Sequence, residues 1–317
     1  MAELDLIAAI RRSLGSPPPR VLTGPGDDAA VVRADGVAVT SIDTVVDGVH
    51  FQLVTHSPAD VGHKALATAL SDLAAMGAGP GEAYVSLALP EGFGEARALE
   101  LLEAMRSLAE RQGVALAGGD VVSSPVLAVT VSVNGWSGAA DRLVYRSGAR
   151  AGDVVGVTGE LGGSGAGLLL LASDAQPPER EDLIRRHRRP EPLLATGLAL
   201  AAAGASAMID LSDGLATDAG HLARASGVKL ELSLARLPIA PGVESVASDA
   251  AEFAATAGDD YELLFTAPAE QRAAMEAAAQ ATGTSVSWLG DVRPGGGLVE
   301  LHAEDGRVVD LSGYQHG

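Results

Sequence analysis

The chain has 317 residues, no cysteine, and 41 aspartates and glutamates against 22 lysines and arginines, a formal charge of −19. That length suits one large or two moderate domains, and a 47% hydrophobic composition can bury a sizeable core, which excludes wholesale disorder. Disulfides, thiolate metal sites and a cysteine nucleophile are excluded, and so acidic a surface repels a nucleic-acid backbone.

Met1–Leu14 carries Glu3 and Asp5 ahead of any arginine, the wrong order for a secretion signal, and its apolar spacing suits a surface helix. No stretch is long and apolar enough to predict a membrane span, so the expected location is the cytoplasm. Ser16-Pro17-Pro18-Pro19 reads as an extended connector. The run 37–42 predicts a strand that ends in Asp43. Ser57-Pro58-Ala59-Asp60 predicts a helix start, with a capping serine, a first-turn proline and an acid at the positive dipole end, the helix then running to near Gly77. A strand over 84–89 follows, then a helix over 95–111 closed by Gly113, a short strand over 114–117 feeding Gly118-Gly119-Asp120, and a half-buried strand over 126–136.

Turn clusters at 137–141 and 148–153 place a domain boundary near 137–150, with lobes over 1–140 and 148–317. The second lobe restarts with a strand over 154–158 and a helix over 165–172. Helices over 181–189 and 192–203 come next, then a strand over 208–211, a helix over 215–226, and strands over 229–234 and 262–266. Both halves mix strands and helices, an α/β or α+β class. Ser71-Asp72 is echoed by Ser212-Asp213, and Gly26-Asp27-Asp28 by Gly258-Asp259-Asp260, a hint of duplication.

The aspartates collect where apolar segments end. Asp27 and Asp28 follow Gly26, Asp43 and Asp120 follow strands, Asp210 and Asp213 flank a third, and Asp72 shares a helical stripe with Ala65, Thr68, Ala69 and Met76. A carboxylate facing a core costs several kcal/mol unless it is paired, protonated or metal-bound. Converging oxygens would favour Mg²⁺, Mn²⁺ or Ca²⁺ over zinc or copper. Each acid alone also reads as a turn former or helix cap. Gly162-Gly163-Ser164-Gly165-Ala166-Gly167 opens a helix whose N–H groups could hold phosphate, but the glycine spacing is wrong for a dinucleotide fingerprint, and a plain turn fits as well. His50 reads as a substrate-orienting group or an ordinary loop residue, and His187 as part of a cationic helix end.

In order, the motifs are Gly26-Asp27-Asp28-Ala29-Ala30, Thr40-Ser41-Ile42-Asp43-Thr44, Gly48-Val49-His50-Phe51, and Lys64-Ala65-Leu66 leading to Ser71-Asp72-Leu73-Ala74-Ala75-Met76-Gly77. Then come Gly118-Gly119-Asp120, Arg146-Ser147-Gly148-Ala149, Ile209-Asp210-Leu211-Ser212-Asp213-Gly214 and Gly258-Asp259-Asp260-Tyr261-Glu262-Leu263. Together they resemble the thiamine-monophosphate kinases of the aminoimidazole-ribonucleotide-synthetase-like superfamily, from about Gly24 to Gly313-Tyr314-Gln315-His316. The resemblance implies ATP- and Mg²⁺-dependent phosphorylation of thiamine monophosphate to thiamine diphosphate. It also implies a two-lobed synthetase-like ATP-binding fold, with a homodimer formed through N-terminal-lobe strands and the active site in a cleft.

By that likeness Asp28, Ser41, Asp43, Asp72, Asp120, Asp210 and Asp213 would hold several Mg²⁺ ions, and Asp43, Asp120 and Asp210 would be catalytic. Gly119, Asp120, Arg146 and Ser212 would contact ATP, while His50 and Asp259 would face the substrate. Two departures stand out: Ile42 occupies a position that often carries a hydroxyl, and Asp259 one where glutamate is common. Phosphoryl transfer needs charge neutralisation and in-line alignment more than covalent help, and an ionised phosphate acceptor needs no strong base. Direct attack on the terminal phosphorus of ATP is therefore expected. The alternatives are a sister ATP enzyme such as a purine-pathway cyclo-ligase, and a non-catalytic Mg-nucleotide-binding regulator.

Overall fold

The computed structural model describes residues 9–10, 12, 14, 19–24 and 29–314. The expected helix over Met1–Leu14 lies largely outside them, and Gly26-Asp27-Asp28 entirely so. The chain forms two compact units, one of residues 1–73 and 79–140, the other of 74–78 and 141–317.

In the first unit a short ribbon of β1 (Val21–Thr23) and β2 (Val31–Val32) precedes β3 (Val37–Val46) and helix α1 (Pro58–Ala75). The α1 start is a reciprocal cap: the Asp60 N–H donates to the Ser57 hydroxyl oxygen (3.2 Å) while Ser57 N–H donates to the Asp60 carboxylate (3.0 Å). Next come β4 (Gly79–Leu89), α2 (Glu95–Gln112), β5 (Ala115–Ser123) and β6 (Ala128–Ser137). Gly113 ends α2 with φ +70°, a left-handed cap that a side chain would disfavour.

The four longer strands form one sheet, ordered β3-β6-β4-β5, antiparallel except for the β4–β5 pair, whose parallel crossover is α2. Val129, Val131 and Val133 of β6 and Ala83, Val85 and Leu87 of β4 are buried on one face. Covering such a face requires an apolar helix stripe, which α1 (Leu66, Ala69, Leu70, Leu73) and α2 (Leu101, Met105, Leu108) supply. The other face is polar: Thr40 bonds Asn134 (2.5 Å) and Thr44 bonds Thr130 (2.9 Å), with the Ile42 side chain 67% exposed among them.

The second unit runs β7 (Asp153–Thr158), α3 (Gly163–Leu171), α4 (Arg180–Arg188), α5 (Leu194–Ala203), β8 (Ala207–Asp210), α6 (Leu215–Ser226) and β9 (Val228–Ser233). It continues with α7 (Ala250–Thr256), β10 (Leu263–Pro268), α8 (Arg272–Ala281), β11 (Val286–Pro294), β12 (Leu298–His302) and β13 (Val308–Val309). Its seven strands are ordered β13-β12-β9-β11-β7-β10-β8. The central strand β7 is buried along its whole length, and Gly156 within it leaves room for the Phe265 ring, which meets Trp288 edge-on at 5.6 Å. The core gathers Val155, Val157, Ile209, Leu230, Leu264, Leu289 and Val292 from the sheet with Leu215, Ala219 and Leu222 of α6.

From Val37 onward the strands and helices read from the sequence are present among the described residues, with two consequential shifts. Asp43 does not close its strand, because the β-branched run Thr44-Val45-Val46 carries β3 onward. Asp120 likewise lies inside β5, since Val121 and Val122 continue the ladder with β4. Ser71-Asp72 and Ser212-Asp213 are not structural equivalents: the first pair is helical, the second lies in the loop before α6.

Candidate functional site

In the first unit, Ser41 and Asp43 stand two residues apart on β3 and share one face of the strand. The Ser41 hydroxyl donates to the Asp72 carboxylate, which places Asp72 against that face. Burial, and then the Asp72 charge, push the Asp43 carboxyl up to about 6. Asp72 occupies the last turn of α1, the negative end of the helix dipole, and no basic residue shares that turn. Such an arrangement favours a bound cation, and its all-oxygen donors suit a hard divalent ion. His50 follows in the turn after β3, its Nδ1 accepting from Val46 N–H at 3.1 Å, so Nε2 carries the proton of the neutral ring.

Asp120 stands elsewhere in this unit. Its strand β5 is one edge of the sheet and β3 the other. The register aligns Asp120 with Ser86, Thr130 and Thr44, whereas Asp43 aligns with Val131, Val85 and Gly119. Asp120 therefore projects from the opposite face, and within one chain it does not join Ser41, Asp43 and Asp72. Asp28 lies outside the described residues.

The second unit gathers Asp210, Ser212, Asp213, Arg146 and Asp259. Asp210 ends β8 with 5% exposure, paired with Leu263. The loop that follows is strapped to the Gly258–Glu262 segment by three backbone bonds: Leu211 N–H to Glu262 O (2.8 Å), Asp259 N–H to Ser212 O (2.8 Å) and Tyr261 N–H to Leu211 O (2.9 Å). Two motifs far apart in sequence thus become one loop pair. The tail joins them, Tyr314 N–H donating to Asp213 O at 2.9 Å.

Two residues that sequence reasoning missed complete the cluster. Asp218, in the first turn of α6, accepts from Asp213 N–H at 3.0 Å. Asp213, Asp218 and His221 offer ligand atoms all within 4.8 Å of one another. The Asp218 carboxyl is pushed up to about 7 by burial and then by Asp210, with Asp213 N–H and Arg146 opposing. His221 is lowered by burial and then by Arg224 and Arg146. The spacing Asp218–His221, one turn apart on one helix face just after the Ser212-Asp213 motif, is the signal that could have exposed them.

The glycine-rich turn has a different employment from phosphate binding. Gly162 N–H (2.7 Å) and Ser164 N–H (3.3 Å) both donate to Asp260, so the chain's own carboxylate occupies the start of α3. Burial pushes Asp260 up to about 7, against the two N–H groups. Glu262 is likewise raised to about 7 by burial, with the Thr158 hydroxyl, at 2.6 Å, and Arg186 opposing.

Two family models match the chain: AIR synthase related protein, N-terminal domain, over residues 26–136, and its C-terminal domain over 150–302. The thiamine-monophosphate kinase of Bacillus subtilis (strain 168) is 35% identical over 331 residues, spanning 100% of this chain and 99% of that protein.

The chain belongs to the thiamine-monophosphate kinase family.

Among solved structures, the thiamine-monophosphate kinase of Stenotrophomonas maltophilia K279a superposes with a TM-score of 0.85 at 36% identity, covering 98% of both chains. A chain solved as AaThiL complexed with AMPPCP and TMP gives 0.79 at 33%, covering 99% of this chain and 97% of that one. In this member of the kinase family, Ser41, Asp43, Asp72 and Asp120 lie in the N-terminal matched segment, and Asp210, Ser212, Asp213, Asp218 and Asp259 in the C-terminal one. Among the described residues no helix is long and apolar enough to cross a membrane.

Proposed function

We propose that this chain transfers the terminal phosphoryl group of ATP to thiamine monophosphate, yielding thiamine diphosphate and ADP. The observation that carries the reading is the likeness, over 99% of the chain, to a kinase bound to AMPPCP, a non-transferable ATP analogue, and to TMP. Physical chemistry supplies the reason for the acidic clusters. Two anionic substrates must meet on a protein of charge −19, and carboxylate-bound cations make that encounter favourable.

Ser41, Asp43 and Asp72 in one unit, and Asp210, Asp213 and Asp218 in the other, are the groups that would hold Mg²⁺. The raised carboxyls of Asp43 and Asp218 fit that role, because burial first, and then a neighbouring carboxylate, disfavours a bare negative charge that a divalent ion would offset. When bound, the metal neutralises charge on the transferring phosphoryl group and its leaving oxygens. Arg146 and Ser212 bind and orient the nucleotide, and His50 and Asp259 the acceptor. Asp43, Asp120 and Asp210 are the residues whose charge the reaction requires. The acceptor phosphate oxygen is ionised near neutral pH and attacks phosphorus in line, with no phosphoenzyme.

A homodimer joined through N-terminal-lobe strands fits this picture. Within one sheet, β3 and β5 are three strand spacings apart, roughly 14 Å. The exposed Ile42 shares its sheet face with Asp120, and a second copy packed on that face would carry its own acids to it. The N-terminal and C-terminal lobes, 1–140 and 148–317, would then each supply part of the chemistry. We place the enzyme in the cytoplasm, with its nucleotide co-substrate.

The test incubates purified protein with Mg-ATP and thiamine monophosphate and follows thiamine diphosphate by chromatography. Product above a protein-free control is expected. Mg-ATP binding without product would favour the regulator, and aminoimidazole ribotide formed from its own precursor would favour the cyclo-ligase.

A further inference from the structure

Asp259 (φ +65°) and Tyr261 (φ +53°) are the two non-glycine residues with left-handed backbone among the described residues. A tyrosine there is an outlier that persists only where its surroundings over-determine it. Here they do. The loop is held to Leu211 and Ser212 by backbone bonds, to the start of α3 through Asp260, and to β7 through Glu262 and Thr158. The consequence of the paired left-handed turns is that two side chains separated by one residue meet: the Tyr261 hydroxyl donates to Asp259 Oδ1 at 2.9 Å. The Tyr261 ring is itself buried, at 8% exposure, so its hydroxyl arrives from a fixed side.

We infer that Tyr261 is a positioning residue for acceptor recognition: its phenol fixes the Asp259 carboxylate, which selects the cationic thiazolium ring of the substrate. A carboxylate repels the substrate's phosphate and attracts a fixed positive charge, so the thiazolium ring is the part it can recognise. Held by a buried phenol, it needs no reordering when that cation arrives, and pre-organisation of this kind appears as substrate affinity. The inference rests on the proposed kinase activity and deepens it.

Steady-state kinetics on Tyr261→Phe, Asp259→Gly and the double variant test this. Phenylalanine keeps the buried ring, and glycine accepts the left-handed backbone at 259, so both variants are expected to melt close to the parent. Tyr261→Phe should raise KM for thiamine monophosphate about tenfold, as expected for losing a hydrogen bond to a charged group, with kcat and KM for ATP within about twofold. In the Asp259→Gly background the same substitution should change KM less than twofold, because the coupling partner is gone. An unchanged KM in Tyr261→Phe, or an equal loss with and without Asp259, would overturn the assignment. A parallel rise in KM for ATP would do so too, since it would mean general loosening of the Ser212 loop. If the parent protein neither binds nor phosphorylates thiamine monophosphate, the kinase reading fails and this one with it, an outcome distinct from a normal parent with an indifferent Tyr261→Phe.

Discussion

The Ser41 hydroxyl donates its hydrogen to the Asp72 carboxylate, tying strand β3 to the last turn of helix α1. This contact brings a second carboxyl, Asp43, close enough that the Asp72 charge adds to the upward push of burial. A protein that served only its own stability would have little use for two carboxylates at the negative end of a helix. Asp72→Asn should therefore leave the melting temperature in EDTA unchanged or higher, while shrinking the gain on adding Mg²⁺ to the part the second unit's carboxylates supply and reducing turnover at least a hundredfold. A variant that keeps its full Mg²⁺-dependent gain in differential scanning fluorimetry would contradict the metal role.

The pH dependence has a definite sign. Asp43 is raised to about 6, and Asp218, Asp260 and Glu262 to about 7. Between pH about 4 and about 7 the folded protein holds these protons more tightly than the unfolded chain does, so their contribution to stability is present at the acidic end and is lost as pH rises. The lowered carboxyls of Glu103, Asp182 and Asp305 belong to exposed ion pairs of small effect. Metal-free protein should accordingly lose melting temperature across that window, and the shift caused by Mg²⁺ should grow with pH as protons leave Asp43 and Asp218. Melts at pH 5, 6, 7 and 8, with EDTA and with Mg²⁺, would reveal an opposite trend.

Asp218 separates charge from shape. Asn at this position keeps an acceptor for Asp213 N–H and removes the charge, so Asp218→Asn should fold normally yet bind Mn²⁺ several-fold more weakly by calorimetry. Asp218→Ala also removes the acceptor and should cost about 1 kcal/mol of stability in addition. Equal Mn²⁺ affinity in parent and Asp218→Asn would limit Asp218 to a backbone tie.

The proposed homodimer, with Asp43 and Asp120 on opposite edges of one sheet, predicts complementation between subunits. Asp43→Asn and Asp120→Asn should each be inactive alone. Mixed after mild denaturation and refolding, they should recover up to about a quarter of parental activity, since a random mixture is half heterodimer and each heterodimer holds one intact site. No recovery from demonstrably mixed dimers would place both residues in service of separate sites.

Much of this was legible in the sequence because local signals carried it. The Ser57-Pro58-x-Asp60 cap, the Gly113 stop and the alternation of β6 are short-range patterns with short-range causes. The ordered motifs then pointed to the family and its reaction. Asp120 shows where such reading ends: only strand order and register reveal that its side chain leaves the sheet on the face opposite Asp43, and neither is encoded within a few residues. The strapping of Ser212 to Asp259 is equally non-local. The left-handed backbone at Asp259 and Tyr261 runs against local preference, imposed by anchors at Leu211, Gly162 and Thr158. Asp218 and His221 are readable on their helix face, one turn apart.

The proposed role of the acidic clusters is to hold cations for phosphoryl transfer. Crystals grown with Mn²⁺ in place of Mg²⁺, AMPPCP and thiamine monophosphate, measured at the manganese absorption edge, examine it directly. Anomalous peaks about 2.2 Å from a carboxylate oxygen of Asp43 or Asp72 in one unit, and of Asp210 or Asp213 in the other, are the expected result. Bound nucleotide with no manganese at any of these carboxylates would contradict it.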